Sequence, residues 1–331
     1  MKGNQIIKIY KDRDADLRYL RGMPIAIIGY GSQGRAQALN LKDSELQVIV
    51  GLPRKSNSIK TARKDGFEVY STEKAAKLGQ IISVLAPDHL HKKIYDDQLK
   101  KNLSPGKTLL FACGFSIYFK LIVPHKDVDV LLVAPHAPGE QVRKFFLEKK
   151  GVPCFIAVEQ NYSGRAKQKA LAYAKAIGST KVGAIQTTFG NESIGDLFGE
   201  QAILCGGLTK LLKAGFEVLV ESGLPPENAY LECVHQLDFI VNTIKSYGIA
   251  GMFDRISKTA EYGSYLSGKR VINDRTKKEM KKILKEIKDG SFAKRWIKEY
   301  ESGMKNYRNL KRINSKHLIE AISKKMRDLL K

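Results

Sequence analysis

Three glycines, Gly29, Gly31 and Gly34, stand in the run Met23-Pro-Ile-Ala-Ile-Ile-Gly-Tyr-Gly-Ser-Gln-Gly34, after a strand-like apolar stretch and before a helical pattern. In that context the first glycine makes a tight turn, the second admits a pyrophosphate and the third lets helix pack on strand, with the helix N-terminus facing the anion. Tyr30, Ser32 and Gln33 belong to the same loop and are counted with its cofactor contacts. An NAD-type site usually places an acid about 20 residues further on, to hold the ribose hydroxyls. Here the second strand leads into Leu52-Pro-Arg-Lys-Ser-Asn-Ser58, two cations and two serines without a carboxylate. Arg54, Lys55, Ser56 and Ser58 suit a 2′-phosphate, so the cofactor is read as NADPH; a solvated basic loop is the plain alternative.

A second chemistry is offered by acids. Asp196 and Glu200 lie four apart in Asn191-Glu-Ser-Ile-Gly-Asp-Leu-Phe-Gly-Glu-Gln201, and Glu232 and Gln236 repeat the spacing in Tyr230-Leu-Glu-Cys-Val-His-Gln-Leu-Asp238. On helices such pairs share a face. Oxygen donors of this kind can hold a hard cation such as Mg2+, although solvated acids at the same spacing are commonplace.

These residues need elements to hold them. The first half alternates short apolar runs, Ile25 to Ile28, Val48 to Val50, Ile81 to Leu85, Leu109 to Ala112, Val130 to Ala134 and Phe155 to Val158, with helical stretches. That rhythm predicts an α/β domain with a parallel-sheet core over residues 1–186. From 187 to 331 the pattern is helical, with breaks at Gly223-Leu224-Pro225-Pro226, Tyr247-Gly248 and Asp289-Gly290 and a candidate cap at Ser315. Met280, Ile283, Leu284 and Ile287 form one helical stripe, and Ile319, Ile322, Met326 and Leu329 another.

The 331 residues carry 57 Lys and Arg against 34 Asp and Glu, a formal charge of +23. Residues 273–331 alone hold 19 basic and 8 acidic residues, so about half of the excess lies there. The favoured reading is a lysine coat on amphipathic helices, because direct base readout leans on arginine. A polyanion-binding protein is the rival, and nucleic acid is not the expected partner. No run approaches the ~18 apolar residues of a membrane span and the first 20 residues mix charges, so a cytoplasmic chain without a membrane partner is expected. Cys113, Cys154, Cys205 and Cys233 are too scattered for a zinc site or a disulfide scaffold and read as reduced thiols.

Taken together, GYGSQG, the Ser56 and Ser58 loop, TTFGNESIGDLFGEQAILCGGLTKLLKAGFEVLVESG, Ala229-Tyr-Leu-Glu-Cys-Val-His and Ile256-Ser-Lys-Thr-Ala-Glu-Tyr-Gly resemble, in order, the short class I ketol-acid reductoisomerases. The likeness runs from about residue 5 to about 325. It implies an N-terminal Rossmann domain followed by a knotted all-α domain, an exception to the rule that chains avoid knots. It implies NADPH and two Mg2+ ions, alkyl migration in 2-acetolactate or 2-aceto-2-hydroxybutyrate, and reduction to a 2,3-dihydroxy acid in valine and isoleucine synthesis. It also implies a dimer with shared sites: Asp196 and Glu200 from one subunit, and Glu232, position 236 and the substrate-holding Ser257 from the other.

Four positions depart from that pattern. Cys113 stands where the family has histidine, His136 where it has lysine and Gln236 where it has glutamate, while Lys258 replaces a small or acidic residue beside Ser257. A thiol is a poorer proton acceptor than imidazole, an ordinary histidine is mostly uncharged at neutral pH, and an amide lowers the charge of the ligand set by one. The expectations are impaired turnover, with Cys113 and His136 carrying the acid–base work, and weak binding of the ion that depends on position 236. A degenerate paralogue, acting as a simple ketoacid reductase or as an NADPH-binding subunit, is the alternative. A mixed dimer with an intact homologue is a further possibility of the shared site.

Overall fold

The apolar runs of the first half become strands covered on both faces, as an unbroken rather than alternating apolar pattern requires. Every residue of Ile25–Ile28, Ile81–Val84 and Thr108–Phe111 is buried. The computed structural model describes residues 7–330, and the chain divides after Ser193 into two compact units.

Among the described residues of the first unit nine strands form one sheet: β1 (Ile9–Tyr10), β2 (Ile25–Ile28), β3 (Val48–Gly51), β4 (Glu68–Tyr70), β5 (Ile81–Val84), β6 (Thr108–Phe111), β7 (Asp129–Pro135), β8 (Cys154–Gln160) and β9 (Ala184–Gln186). Their order is β1-β9-β8-β7-β6-β5-β2-β3-β4. Ile28 lies beside Gly51 on one side and Val84 on the other, so the chain builds outward from β2 in one direction and then restarts at β5 in the other. That reversal opens a crevice at the carboxyl ends of β2 and β5, where α/β sheets bind ligands. Two pairings are antiparallel. β8 enters beside the end of β7, Cys154 opposite Pro135, so the intervening helix does not carry the chain back along the sheet. β1 closes the far edge antiparallel to β9. β1, β4 and β9 are two or three residues long, too short for a periodic signal in the sequence.

Helices α1 (Ser32–Asp43), α2 (Ser58–Lys64), α3 (Thr72–Leu78), α4 (Asp88–Ile94), α5 (Phe115–Tyr118), α6 (Gly139–Leu147) and α7 (Ala166–Ala176) cover the sheet. One core gathers Ile25, Ile27, Leu110, Leu131 and Tyr173, the other Ile28, Ile82, Leu109, Phe111 and Leu132, alternate residues of the same strands facing opposite sides.

Helix α8 (Phe189–Phe198) carries the chain into the second unit, which continues through α9 (Gly206–Glu221), α10 (Pro226–Tyr230), α11 (Leu237–Phe253), α12 (Lys258–Val271), α13 (Asp274–Lys288), α14 (Ser291–Glu301), α15 (Lys305–Ser315) and α16 (Leu318–Leu329). α9 ends before Gly223, Gly248 has φ 75° and kinks α11, and Gly290 with φ 77° starts α14, so the glycine breaks act as read. The cap of the last helix is not Ser315, which ends α15. His317 caps α16, its Nδ1 accepting from Ile319 N at 3.2 Å. Ile319 and Met326 reach a core with Phe216, Ala229 and Tyr230, whereas Leu329 is exposed.

Candidate active site

The glycine loop has the geometry a dinucleotide needs. Gly29, at φ 99°, follows β2, and a Cβ there would stand 2.6 Å from Ala86 N, just beyond β5. A Cβ on Gly34 would meet Gly29 O at 2.3 Å, whereas one on Gly31 would meet nothing within 4 Å. Gly29 and Gly34 are therefore fixed by packing, and the space a Gly31 side chain would fill is open to a phosphate. The loop's other residues are committed to the protein. Tyr30 donates its hydroxyl to Asp65 Oδ2 at 2.8 Å, and Arg35 grips the same carboxylate through Nε at 2.7 Å and Nη2 at 3.0 Å. The Arg35 hydrogen bonds hold Asp65 below the usual carboxylate range against the effect of burial, while burial and the Asp65 bond push Tyr30 up.

Gln33 does not turn its amide nitrogen to the loop's open side. Nε2 donates to Ala137 O at 2.8 Å, its Oε1 accepts from Gln37, and Gln37 in turn accepts from Tyr173. Ser32 Oγ accepts from Gly139 N at 3.1 Å, and a Cβ on Gly139 would lie 2.1 Å from Ser32 O. These contacts tie the start of α1 to the segment after His136. Across the crevice, Arg54 and Lys55 are exposed, and Ser56 Oγ accepts from Ser58 N at 3.3 Å, shaping the turn into α2.

His136 follows β7. Its N–H donates to Pro153 O at 2.9 Å and its exposed ring meets Phe155 edge-on, centroids 4.2 Å apart. Cys113, half-buried, follows β6, and the next residue is held by a group the sequence reading passed over: Glu192, 4% exposed, accepts from Gly114 N at 2.6 Å. A Cβ on Gly114 would be 2.7 Å from that carboxylate. The signal was present, since Glu192 precedes Asp196 by the same four residues that separate Asp196 from Glu200. His91 was also missed. Burial holds it low; Nε2 donates to Ala86 O at 2.7 Å, which leaves Nδ1 to accept from Ser116 at 2.9 Å. It thereby joins the loops after β5 and β6.

Asp196 sits on α8, but Glu200 and Glu232 do not sit on plain α-helix. α8 runs into a π-helical turn, Gly199–Leu204, that contains Glu200, and a second π turn, Leu231–His235, contains Glu232 with Gln236 just after it. A π turn closes i→i+5 hydrogen bonds, so residues four apart no longer share the register assumed for a plain α-helix; such turns are frequent at functional sites. All four side chains are exposed, and Gln236 Nε2 donates to Glu232 Oε2 at 3.0 Å. Ser257 caps α12, its hydroxyl accepting from Ala260 N at 3.1 Å. Lys258 pairs with Glu261 at 2.8 Å, which accounts for its charge within its own helix.

The Rossmann sheet, the glycine cradle and the following helical unit define a nicotinamide-dinucleotide oxidoreductase. Residues 19–183 match the family described as acetohydroxy acid isomeroreductase, NADPH-binding domain, and residues 189–331 the one described as ketol-acid reductoisomerase, C-terminal domain. The chain belongs to the ketol-acid reductoisomerase family, and ketol-acid reductoisomerase chemistry on a small-molecule substrate is its function. A solved NADH-preferring ketol-acid reductoisomerase from an uncultured archaeon is 45% identical over 97% of this chain and 99% of its own, with a TM-score of 0.94. Two further structures share the fold only. A semialdehyde dehydrogenase NAD-binding protein from Cupriavidus necator is 20% identical over 81% of this chain and 99% of its own, with a TM-score of 0.62. The pyrroline carboxylate reductase of Plasmodium falciparum is 17% identical over 82% and 98%, with a TM-score of 0.53. No described helix is long and apolar enough to cross a membrane.

Proposed function

We propose that this chain reduces 2-hydroxy-3-keto acids with NADPH as a homodimer, and that its alkyl-migration step is slow compared with its reduction step. The observation that carries this reading is the amide at position 236, hydrogen-bonded to Glu232, where the ligand set should supply a fourth carboxylate. Arg54 and Lys55, exposed and without an acid between Leu52 and Ser58, support NADPH through the 2′-phosphate. The 45% identical structure is that of an NADH-preferring enzyme, so the opposite preference is the outcome to test against.

Three carboxylates, Asp196, Glu200 and Glu232, with the Gln236 carbonyl make a hard-oxygen donor set that fits Mg2+. Bound there, the ion would polarise the substrate ketone and tertiary alcohol and stabilise the charge that develops on oxygen. The protein residues do the rest. In the migration step the tertiary hydroxyl gives up its proton as the alkyl group shifts to the neighbouring carbonyl carbon, and Cys113 and His136 are the groups this chain offers for that proton. For the reduction step a nicotinamide cofactor held at the glycine loop would supply the hydride, and the protein must deliver a proton to the oxygen of the new ketone, for which Cys113 and His136 are again the groups at hand. Glu192 holds Gly114 and so positions Cys113, while Gln33 fixes the segment after His136 through Ala137. Ser257, spent on its own helix cap, retains its hydroxyl hydrogen for substrate.

The dimer is supported by the apolar surface of the helical unit. α11 buries only Met252 and leaves Phe239, Ile240, Val241, Tyr247 and Ile249 exposed, more apolar side chains on one helix than a monomer's surface usually presents. Steady-state kinetics with 2-acetolactate, compared with the already rearranged 3-hydroxy-2-keto acid, tests the proposal. Equal turnover of the two, at rates ordinary for the family, would sink the claim of slow migration; no turnover of either would favour a subunit without catalysis.

A further inference from the structure

We propose that the opposite end of the sheet, at the amino ends of its central strands, carries a second anion site, built for a small phosphomonoester and separate from the nucleotide crevice. A cavity of about 370 Å³ is lined by Arg18, Tyr19, Met23, Arg165 and Lys169, three cations and no acid. Lys169 is 4% exposed, and its ammonium bonds Asp129 Oδ2 at 2.8 Å and Thr108 Oγ1 at 3.1 Å. An ammonium has three N–H donors, so one is left over at a buried position beside the cavity. Arg18 pairs with Asp16 at 2.9 Å and lies over the Tyr19 ring. With Asp16 and Asp129 each answering one cation, Arg165 is unanswered: among the described residues its guanidinium has no hydrogen-bond or ion-pair partner. It stands just before α7, whose positive dipole end favours an anion there.

Three kinds of donor in one lining suit a tetrahedral oxyanion better than a planar carboxylate, because a guanidinium fork, an ammonium and a phenol can each take a different oxygen. The volume leaves room for a small organic body, which Met23 and the Tyr19 ring would meet. Thr108 and Asp129 are the first residues of β6 and β7, whereas the glycine loop follows the last residue of β2 in the same parallel set. A phosphate bound here is thus at the amino ends of the strands and cannot be the cofactor's.

The test is calorimetric titration of the full chain, saturated with NADPH, with phenyl phosphate at physiological salt. Benzoate, inorganic phosphate and sulfate serve as comparisons. The expected result is one phenyl phosphate per chain, weaker inorganic phosphate, and no benzoate binding. Arg165→Glu, an exposed position that leaves the core intact, should weaken phenyl phosphate about tenfold or more without changing NADPH affinity. Arg18→Glu should act in the same direction, and Arg54→Glu should do the reverse. No saturable binding, binding equal for sulfate and phenyl phosphate, or binding indifferent to Arg165→Glu and Arg18→Glu would each overturn the site.

Discussion

Gln236 donates to Glu232 across 3.0 Å at the end of a π-helical turn, so the amide occupies one oxygen of a carboxylate of the proposed cation site. The pair is comfortable without metal, where two glutamates four apart would repel by roughly 0.2–0.5 kcal/mol. Gln236→Glu should reverse both effects. Magnesium should bind about tenfold more tightly, since one charge at contact range is worth on the order of a kcal/mol or more even when screened. The metal-free variant should melt slightly lower than the parent, and the stabilisation by magnesium should be larger. Calorimetric titration of magnesium and thermal melts with and without it measure these changes; unchanged affinity would remove position 236 from the ligand set.

Cys113 and His136 follow β6 and β7, each at the carboxyl end of its strand. Cys113→His with His136→Lys should raise turnover of 2-acetolactate by about tenfold or more, the scale on which positioned acid–base groups contribute. Turnover of the already rearranged keto acid should rise less, because it needs only hydride and one proton. A ratio of the two rates that does not move would mean that these positions do not limit migration.

The crevice was legible in the sequence because its makers are local: Gly29, Gly31 and Gly34 announce strand, turn and helix within twelve residues. The helix breaks at Gly223, Gly248 and Gly290 were legible for the same reason, as each ends or bends its own helix. What could not be read was long-range. Glu192 finds Gly114 across 78 residues and Gln33 finds Ala137 across 104, and nothing in either neighbourhood names the partner. The π turns at Gly199–Leu204 and Leu231–His235 were hidden differently: a four-residue spacing assumes α geometry, and one added residue per turn changes which side chains align.

Asp65 lies outside the glycine loop yet holds it, through Tyr30 and a two-pronged bond from Arg35. Asp65→Ala would leave a buried phenol and a guanidinium without their acceptor, at a cost of about 1–3 kcal/mol. Because Tyr30 separates Gly29 from Gly31, that loss should appear as several-fold weaker cofactor affinity, measured by quenching of intrinsic fluorescence. A melting temperature that falls with cofactor affinity unchanged would restrict Asp65 to a structural role.

Asp129 and Lys169 form an ion pair with both side chains at 5% exposure or less. Burial alone would raise the Asp129 pKa, but the Lys169 bond and two bonds from Ser163 outweigh it and hold the carboxyl low. A carboxyl depressed in the folded state adds stability above its unfolded pKa, about 3.9, and loses it as pH falls through the folded value. The parent's unfolding free energy should therefore drop below about pH 4 more steeply than that of a variant lacking the pair. Asp129→Asn alone strands a buried ammonium and should cost about 3–5 kcal/mol at neutral pH, whereas Asp129→Asn with Lys169→Met removes both charges and should cost far less. Denaturant melts from pH 7 to pH 3 compare the three proteins. If the double variant were as unstable as the single one, Lys169 would be contributing through contacts other than its charge.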